Sequence, residues 1–277
     1  MIAPLQLLAA ERGLRMSWLE VPEGVPPDAQ AFAKLLEPGS TALVAVQAVN
    51  HETGTLLPVA EYAAACRAAG ALCFVDATQA LGKVPLDVAS LGADLIALAS
   101  HKIGGPAGAG ALWVRRGVVL GSRQYGGGQE RGRRAGTPDV LAQVGFAAAC
   151  GLLAERLAAQ PRIAQLRDQL QTALTAARAI VNAGAGPRVA TACNMYFPGM
   201  RADTLSAALD LEGLAVSAGA ACSSGKSEPS PVLLAMYAGE PARASASLRF
   251  SFGPQTTEID VKYGLDSVLR VAARGLA

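Results

Sequence analysis

Two apolar, strand-like runs in the first half of the chain each end on ionisable side chains. The first, residues 71–75, ends on Asp76, and the second, residues 94–100, ends on His101 and Lys102. Runs of this length and composition are typical of buried strands, and the helix-length connection between them favours a parallel pair. Because open α/β sheets bind ligands at the carboxyl ends of their parallel strands, the sequence predicts a ligand site beside these side chains.

Helix-like and strand-like segments alternate from residue 1 to about residue 116. The predicted helices are residues 4–12, 29–36, 59–69 and 84–91, and the predicted strands are residues 16–21, 42–49, 71–75, 94–99 and 110–115. This alternation predicts an α/β fold with a mainly parallel sheet and helices on both faces.

A glycine-rich loop at residues 125–131 separates this part from two long helix-like stretches, residues 140–157 and 161–180. Short strand-like runs then follow at residues 192–197, 214–217 and 247–252. We therefore expect a cofactor-binding large domain over residues 1–150. A smaller C-terminal α+β domain is expected over residues 151–277.

Composition excludes several classes of protein. The formal net charge of +2 and the lack of a basic run argue against nucleic-acid binding. No apolar stretch reaches the ~20 residues of a membrane span. Five scattered cysteines without a CxxC pair argue against a disulfide framework and for a reducing cytoplasm, and two histidines nearly exclude a multi-histidine metal site.

An acid and a lysine at neighbouring strand ends are the groups that pyridoxal phosphate requires. The amine of Lys102 would form a Schiff base with the cofactor aldehyde, and Asp76 would keep the pyridine nitrogen protonated. Either residue alone would more simply be read as an ordinary charge at a strand end. The other segments of the chain favour the cofactor-binding interpretation over ordinary charges.

Cys222 is a candidate nucleophile because of its neighbours. It lies among small residues between Gly219 and Ser227, whereas Cys73 lies in a run of larger apolar side chains. Small neighbours favour an exposed, reactive thiol over an inert buried one. The segment is not a P-loop, since five residues separate Gly219 from Gly225 where that motif has four.

Two further polar positions are candidates for binding. Arg249 is a lone charge in the strand-like run 247–252. A strand arginine more often lies at an edge or in a structural pair, but facing inward it can hold a substrate carboxylate with two hydrogen bonds. Asn50 and His51 follow the predicted strand 42–49, where a lone histidine is more often structural than a base.

Together these segments resemble those of the cysteine desulfurases, group V pyridoxal-phosphate enzymes of the aminotransferase superfamily. The resemblance covers essentially the whole chain. The matching segments are NHETG at residues 50–54, VDATQ at 75–79, SHKIGGP at 100–106, GGGQERG at 126–132 with Gly136 and Thr137, CSSGKSEPS at 222–230, and LRFS at 248–251.

The resemblance implies conversion of L-cysteine to L-alanine, with the sulfur left as a persulfide on Cys222. Lys102 and Cys222 would be the catalytic residues, and Arg249 would bind the substrate carboxylate. The residues implied to bind pyridoxal phosphate are Asp76, Gln79, Asn50, His101, Ser100 and Thr137. Gln79 and Asn50 would bond the phenolic oxygen, and Thr137 would reach the phosphate of the neighbouring subunit of a homodimer.

The resemblance also implies a sulfur-acceptor protein, iron–sulfur cluster assembly or other sulfur transfer, and a cytoplasmic location. No metal site is expected. Some positions depart from the family pattern: His51 replaces an asparagine, Ala99 replaces a phosphate-binding serine that is displaced to Ser100, and Ala135 replaces the serine of an RSGT segment. The family's ring-stacking histidine and phosphate-cupping turn would precede Met1, so we expect a chain shortened at its N-terminus.

Two alternatives remain open at this point. A selenocysteine lyase or another group V aminotransferase-fold enzyme would share Lys102 and Asp76 but differ at the Cys222 segment. A catalytically impaired remnant that only dimerises or binds a partner would fit the expected N-terminal shortening. Intact Lys102, Asp76, Cys222 and Arg249 argue against the remnant.

Overall fold

The computed structural model describes residues 1–219 and 229–274, and the chain divides into two compact units. We name each unit after its main sheet. The parallel-sheet unit consists of Glu37–Val49 and Val59–Gln160, and the antiparallel-sheet unit consists of Met1–Leu36, Asn50–Pro58 and Pro161–Ala277.

This division differs from the expected boundary after residue 150, because two N-terminal segments belong with the C-terminal half. Hydrogen bonds explain the placement of residues 50–58. The amide of Leu56 donates to the carbonyl of Pro187 at 2.8 Å, and that of Val189 donates to Gly54 at 3.0 Å. Backbone pairing therefore ties this segment to residues that follow it by more than a hundred positions.

The described residues form eleven α-helices and ten strands. The helices are α1 (Ile2–Arg12), α2 (Ala29–Ala33), α3 (Val59–Ala69), α4 (Val88–Leu91), α5 (Val140–Gly151), α6 (Leu153–Ala158), α7 (Gln160–Ala176), α8 (Ala202–Leu211), α9 (Pro231–Met236), α10 (Pro241–Ser245) and α11 (Glu258–Ala273). The strands are β1 (Leu43–Gln47), β2 (Leu72–Asp76), β3 (Leu95–Ala99), β4 (Gly110–Val114), β5 (Gly128–Gln129), β6 (Arg134–Ala135), β7 (Ile180–Val181), β8 (Ala192–Tyr196), β9 (Ser217–Ala218) and β10 (Ser247–Ser251).

The parallel-sheet unit contains a four-stranded sheet in the order β1-β2-β3-β4. Strands β1, β2 and β3 are parallel, and β4 is antiparallel to β3. Helix α3 covers β2 with a buried face that includes Tyr62 and Cys66. The mainly parallel α/β sheet expected from the alternation is confirmed, with an antiparallel edge strand.

Asp94 fixes the amino ends of β2 and β3. Its carboxylate accepts a hydrogen bond from the Cys73 amide at 2.7 Å and pairs with Arg115 Nε at 2.6 Å. Asp94 is buried, and both carboxylate oxygens are occupied by these contacts. A buried carboxylate with these partners is stabilising, so Asp94 is a structural acid at the edge opposite to Asp76.

The antiparallel-sheet unit contains a four-stranded sheet in the order β7-β8-β10-β9. All of its pairings are antiparallel, and β10 lies between β8 and β9. Helix α11 begins with a capping box in which Thr257 and Asp260 bond each other's backbone amides. The unit is α+β, as expected for the C-terminal part of the chain.

Four predicted elements are wrong in detail. The helix predicted over residues 84–91 is confined to Val88–Leu91, and of the strand predicted over residues 214–217 only Ser217 lies in β9. Residues 16–21 form no strand, since Trp18 is 55% exposed and the segment has no ladder partner in the described part of the chain. The helix predicted over residues 140–157 is broken at Leu152, where the amide bonds back to the carbonyl of Ala149. This shorter bond tightens the turn and separates α5 from α6.

The glycine-rich loop and the residues that follow it form a short ribbon of β5 and β6 that the sequence did not predict. The connection between these strands places Glu130 and Arg131 at positive φ, 51° and 59°. Residues other than glycine rarely adopt this conformation. Across residues 1–219 and 229–274, no helix combines the length and apolarity that crossing a membrane requires.

Candidate active site

The parallel-sheet unit brings five of the predicted residues to one edge of its sheet. Asp76 is the last residue of β2 and pairs in register with Ala97 of the adjacent parallel strand β3. Directly after β3, a single 3₁₀ turn over Ser100–Ile103 carries Lys102. The acid and the amine therefore follow neighbouring parallel strands at their carboxyl ends, where α/β sheets bind ligands.

The turn after β2 holds the acid in place. Asp76 Oδ1 accepts a hydrogen bond from the amide of Thr78 at 3.0 Å. Gln79 accepts a hydrogen bond from Lys83 Nζ, which lies four residues further along the chain. Asp76 and Gln79 are both half-buried, so each can be reached by a ligand at this edge.

The 3₁₀ turn exposes two of its side chains and buries two. His101 and Lys102 are exposed, whereas Ser100 and Ile103 are buried. The Ser100 hydroxyl has no hydrogen-bond partner among the described residues. A Cβ at Gly105 would lie 2.2 Å from this hydroxyl, so a larger residue at that position would force the hydroxyl to move. An unpaired buried hydroxyl costs about 1–3 kcal/mol, and a ligand that bonds it would remove that cost.

Thr137 lies in the same unit, two residues beyond β6 and two before the Asp139 cap of α5. Its side chain is exposed. An exposed threonine in this position agrees with the expectation that it serves a neighbouring subunit, which stays a prediction.

Arg249 and Asn50 belong to the antiparallel-sheet unit. Arg249 lies on β10, opposite Asn194 of β8 and Ser217 of β9. Its guanidinium donates to the carbonyl of His51 at 2.8 Å and to Ser217 Oγ at 2.9 Å. The Nε–H is buried without an acceptor in the described chain, which leaves a donor free for an anionic ligand.

Asn50 holds the turn that follows it. Its side-chain oxygen accepts hydrogen bonds from the amides of Glu52 at 2.9 Å and Thr53 at 3.0 Å. Asn50 is buried, and the predicted contact of its side-chain amide with the cofactor remains a prediction. The structure therefore assigns Asn50 a turn-forming role that the sequence did not predict.

Cys222, the predicted nucleophile, lies outside the described residues. The described cysteines are Cys66, Cys73, Cys150 and Cys193, all of them free. Burial raises the pKa of Cys193 to about 11. The pKa of Cys73 is raised as well, first by its hydrogen bond to Cys66 and then by burial. Raised values keep both thiols protonated at neutral pH, so neither is suited to act as a nucleophile.

The donor set at the sheet edge fits pyridoxal phosphate. The cofactor needs an amine for its aldehyde and an acid for its ring nitrogen. Asp76 at the end of β2 and Lys102 in the turn after β3 are these groups. The amide of Gln79 and the unpaired hydroxyl of Ser100 are further polar groups at the same edge. We conclude that the residues present suit this cofactor.

Comparison with known proteins extends this result. The profile of the family described as "Aminotransferase class-V" matches residues 1–263. A cysteine desulfurase of Gluconacetobacter diazotrophicus is 37% identical over 270 residues, which cover 96% of this chain and 67% of that protein. The chain belongs to the class-V aminotransferases, among the cysteine desulfurases.

Further members of this family match the chain to a similar extent. An IscS-like cysteine desulfurase of Mycobacterium tuberculosis is 37% identical over 96% of this chain and 69% of its own length. A solved NifS-like protein superposes with a TM-score of 0.87 at 28% identity, over 99% of this chain and 72% of that one. The chain thus spans about two thirds of the length of these cysteine desulfurases.

Sequence reasoning missed several contacts around the cysteine-desulfurase motifs. It did not pair Lys83 with Gln79, although the four-residue spacing is a signal for such a contact. It did not pair Arg249 with Ser217, since that contact depends on the register of two strands far apart in sequence.

Proposed function

We propose that the protein is a pyridoxal-phosphate-dependent cysteine desulfurase, which converts L-cysteine to L-alanine and retains the sulfur as a persulfide on Cys222. The observation that carries the proposal is the placement of Asp76 and the Lys102 turn at the carboxyl ends of adjacent parallel strands. Membership of the cysteine-desulfurase family supports the choice of reaction.

The cofactor would be held by residues of the sheet edge. Lys102 would bind its aldehyde carbon, Asp76 its ring nitrogen and Gln79 its phenolic oxygen. When bound, pyridoxal phosphate supplies a cationic ring that accepts electrons from the substrate carbon. Asp76 maintains that capacity because a carboxylate hydrogen-bonded to the ring nitrogen keeps the nitrogen protonated.

The sulfur transfer conserves atoms and electrons. L-cysteine and the Cys222 thiol give L-alanine and a Cys222 persulfide. The substrate Cβ–S bond breaks while a bond forms between the substrate sulfur and Cys222 Sγ. The electron pair of the broken bond stays on carbon, which takes up the proton lost by the thiol, so carbon is reduced and both sulfurs are oxidised.

Arg249 would bind the substrate carboxylate. Its buried Nε–H has no acceptor among the described residues, and its two terminal nitrogens donate to neutral oxygens of His51 and Ser217. A carboxylate is a stronger acceptor than either, so a bidentate pair with Arg249 is favourable. This contact would hold the α-amino acid by its carboxylate, which does not change in the reaction.

A homodimer is part of the proposal. Thr137 would serve the phosphate site of the partner, as the family resemblance implies. Helix α5, which begins shortly after Thr137, exposes large apolar side chains that association would bury. These side chains are Val140, Leu141 and Val144, with Leu141 85% exposed.

Persulfide sulfur would pass to an acceptor protein for iron–sulfur cluster assembly or another sulfur-transfer route. We place the protein in the cytoplasm, where a thiol nucleophile stays reduced. The four described cysteines are all unpaired, which agrees with such a compartment.

The test is a product assay on the cofactor-loaded protein. Alanine and sulfide are measured from L-cysteine in the presence of a thiol reductant, with L-selenocysteine as a competing substrate. The proposal expects alanine and sulfide in equal amounts, no product with Lys102→Ala, and a preference for cysteine. Turnover of selenocysteine alone would favour the lyase reading instead.

A further inference from the structure

One side chain of helix α6 lies against both loops at the carboxyl edge of the parallel sheet. The Nη2 of Arg156 is 2.8 Å from the position that a Cβ would take at Gly104, the residue that ends the Lys102 turn. The Cδ of the same arginine is 3.4 Å from the corresponding position at Gly82, in the loop that follows Asp76. Because neither glycine has a side chain, the arginine approaches both backbones closely.

Gln160 ties the same helix to the loop after β2 by hydrogen bonds. Its Nε2 donates to the carbonyl of Gly82 at 3.3 Å and to the carbonyl of Arg156 at 3.0 Å. Gln160 and Arg156 are four residues apart, the spacing at which helical side chains are neighbours. We call these two side chains the arginine–glutamine clamp.

Apolar contacts complete the junction between the two loops. Ile103 of the Lys102 turn is 1% exposed and lies in a buried cluster with Leu81, against which Leu153 of α6 packs. A Cβ at Gly82 would lie 3.1 Å from Leu153 and 3.5 Å from Ile103. The loop after β2, the turn after β3 and helix α6 therefore meet at one point.

The clamp contains two buried polar atoms that folding leaves unpaired. Arg156 Nε and Gln160 Oε1 have no hydrogen-bond partner among the described residues. Apolar side chains of similar shape would fill this space without unpaired polar atoms, and such replacements are often neutral or stabilising. Stability alone therefore does not account for an arginine and a glutamine here, which favours a role in holding the two loops.

We propose that Arg156 is a positioning residue for Lys102: together with Gln160, it holds the turn that carries the amine against the loop that carries Asp76. The inference rests on the proposed function, because it assumes that Lys102 forms the covalent bond with pyridoxal phosphate. Lys102 is exposed and lies on a turn of four residues, so the approach of its amine depends on where the turn backbone is held. Arg156 acts through the turn and need not contact the cofactor.

The experiment measures formation of the bond to Lys102 rather than turnover. Cofactor-free protein is mixed with a range of pyridoxal phosphate concentrations and trapped with borohydride at set times, and mass spectrometry of peptides gives the labelling of Lys102. Lys262, an exposed residue of α11, gives the background rate in the same sample. The rate at saturation reports on the approach of the amine, and the half-saturating concentration reports on cofactor binding.

Arg156→Ala should lower the saturating rate at Lys102 by about 10- to 100-fold, as expected for an error of about 1 Å in the placement of the amine. The half-saturating concentration should stay near the wild-type value, because Asp76 is held within its own loop by the amide of Thr78. The label on Lys262 should not change.

Two further variants grade the effect. Arg156→Lys keeps an alkyl chain beside Gly82 but loses the planar guanidinium beside Gly104, so its saturating rate should lie between those of Arg156→Ala and the wild type. Gln160→Ala removes the hydrogen bond to Gly82 and should slow labelling in the same direction. Arg156→Lys takes the place of Arg156→Ala if the alanine variant does not fold.

Hydrogen exchange provides a readout that needs no cofactor. The amide of Gly105 donates to the carbonyl of Ser100 at 3.1 Å and closes the Lys102 turn. Peptides that cover residues 100–106 should exchange faster in Arg156→Ala, whereas those that cover β1 in the same sheet should not. Equal acceleration in both places would show a general loss of stability and would overturn the positioning role.

Arg67→Ala is the matched control within the parallel-sheet unit. Arg67 Nη2 donates to the carbonyl of Gly92 at 2.7 Å, and Gly92, like Gly104, is a left-handed glycine that ends a helical turn. Gly92 precedes β3, so this contact lies at the opposite edge of the sheet. The labelling rate at Lys102 should equal that of the wild type. An equal slowing in Arg67→Ala would show that loss of any arginine packed on such a glycine is sufficient, and the positioning role would fail.

Two other results would overturn the positioning role. One is a saturating rate in Arg156→Ala equal to that of the wild type, or in Arg156→Lys where the alanine variant does not fold. The other is a half-saturating concentration that rises as much as the rate falls. If Lys102 is labelled equally fast in the wild type and in the Arg156 variants, only the positioning role fails. If the wild type is labelled at another lysine instead of Lys102, the proposed function fails and the positioning role with it.

Discussion

Asp76 pairs in register with Ala97 on the neighbouring parallel strand, which places the acid one strand away from the turn that carries Lys102. The two side chains thus share the sheet edge at which parallel strands end. Each of the following predictions depends on this edge or on the Arg249 and Cys222 segments of the antiparallel-sheet unit.

Lys102→Ala should abolish the covalent linkage to pyridoxal phosphate. Borohydride reduction of the wild-type protein should fix the cofactor on the peptide containing Lys102, because only an amine forms a reducible bond with the aldehyde. Lys83→Ala is the control, since Lys83 is a nearby lysine that contacts Gln79. Peptide mapping that finds the label on Lys83 would contradict the assignment.

Asp76→Asn should retain cofactor but lower kcat by about 10²- to 10³-fold, the usual cost of removing one aligned electrostatic group. The amide cannot keep the ring nitrogen protonated. Asp87→Asn provides the comparison, because Asp87 is an acid of the same unit that caps α4 at the surface. A kcat for Asp76→Asn within twofold of wild type would exclude the predicted contact with the ring.

Arg249→Ala should raise the KM for cysteine by about 10- to 100-fold, since a charge-assisted hydrogen bond contributes about 1.5–3 kcal/mol. Arg249→Lys should reverse only part of this rise in KM, because an ammonium group cannot form the bidentate pair. Arg270→Ala removes a surface pair with Glu212 and should leave KM unchanged. Steady-state kinetics on the three variants distinguishes these cases.

Thiol alkylation at pH 8 should modify Cys222 before Cys193. Burial raises the pKa of Cys193 to about 11, so its reactive thiolate is scarce below that value and its labelling should increase as the pH rises towards 11. Mass spectrometry of peptides after brief iodoacetamide treatment measures the order. Faster labelling of Cys193 than of Cys222 at pH 8 would contradict the prediction.

The sequence predicted the parallel-sheet edge because its signals are local. The apolar runs before Asp76 and Lys102 fix two strands, and the connection between them makes the strands parallel. The Asp94–Arg115 pair that closes the opposite edge was not predicted, since either residue alone resembles an ordinary surface charge.

Contacts between distant segments were beyond sequence reasoning. Ser230 bonds Glu52 across 178 positions of the chain, and no periodicity relates such residues. The break at Leu152 was missed because the flanking residues favour helix on both sides. Contacts and helix ends that depend on tertiary packing can be identified only once the fold is known.

The most direct test of the desulfurase account is the location of the sulfur after one turnover. The cofactor-loaded protein is mixed with one equivalent of L-cysteine, and each cysteine peptide is analysed for persulfide, in the wild type, Cys222→Ala and the control Cys150→Ala. The account predicts persulfide on Cys222 in the wild type and in Cys150→Ala, and neither persulfide nor alanine in Cys222→Ala. Alanine formed by Cys222→Ala at the wild-type rate, or persulfide on another cysteine, would contradict it.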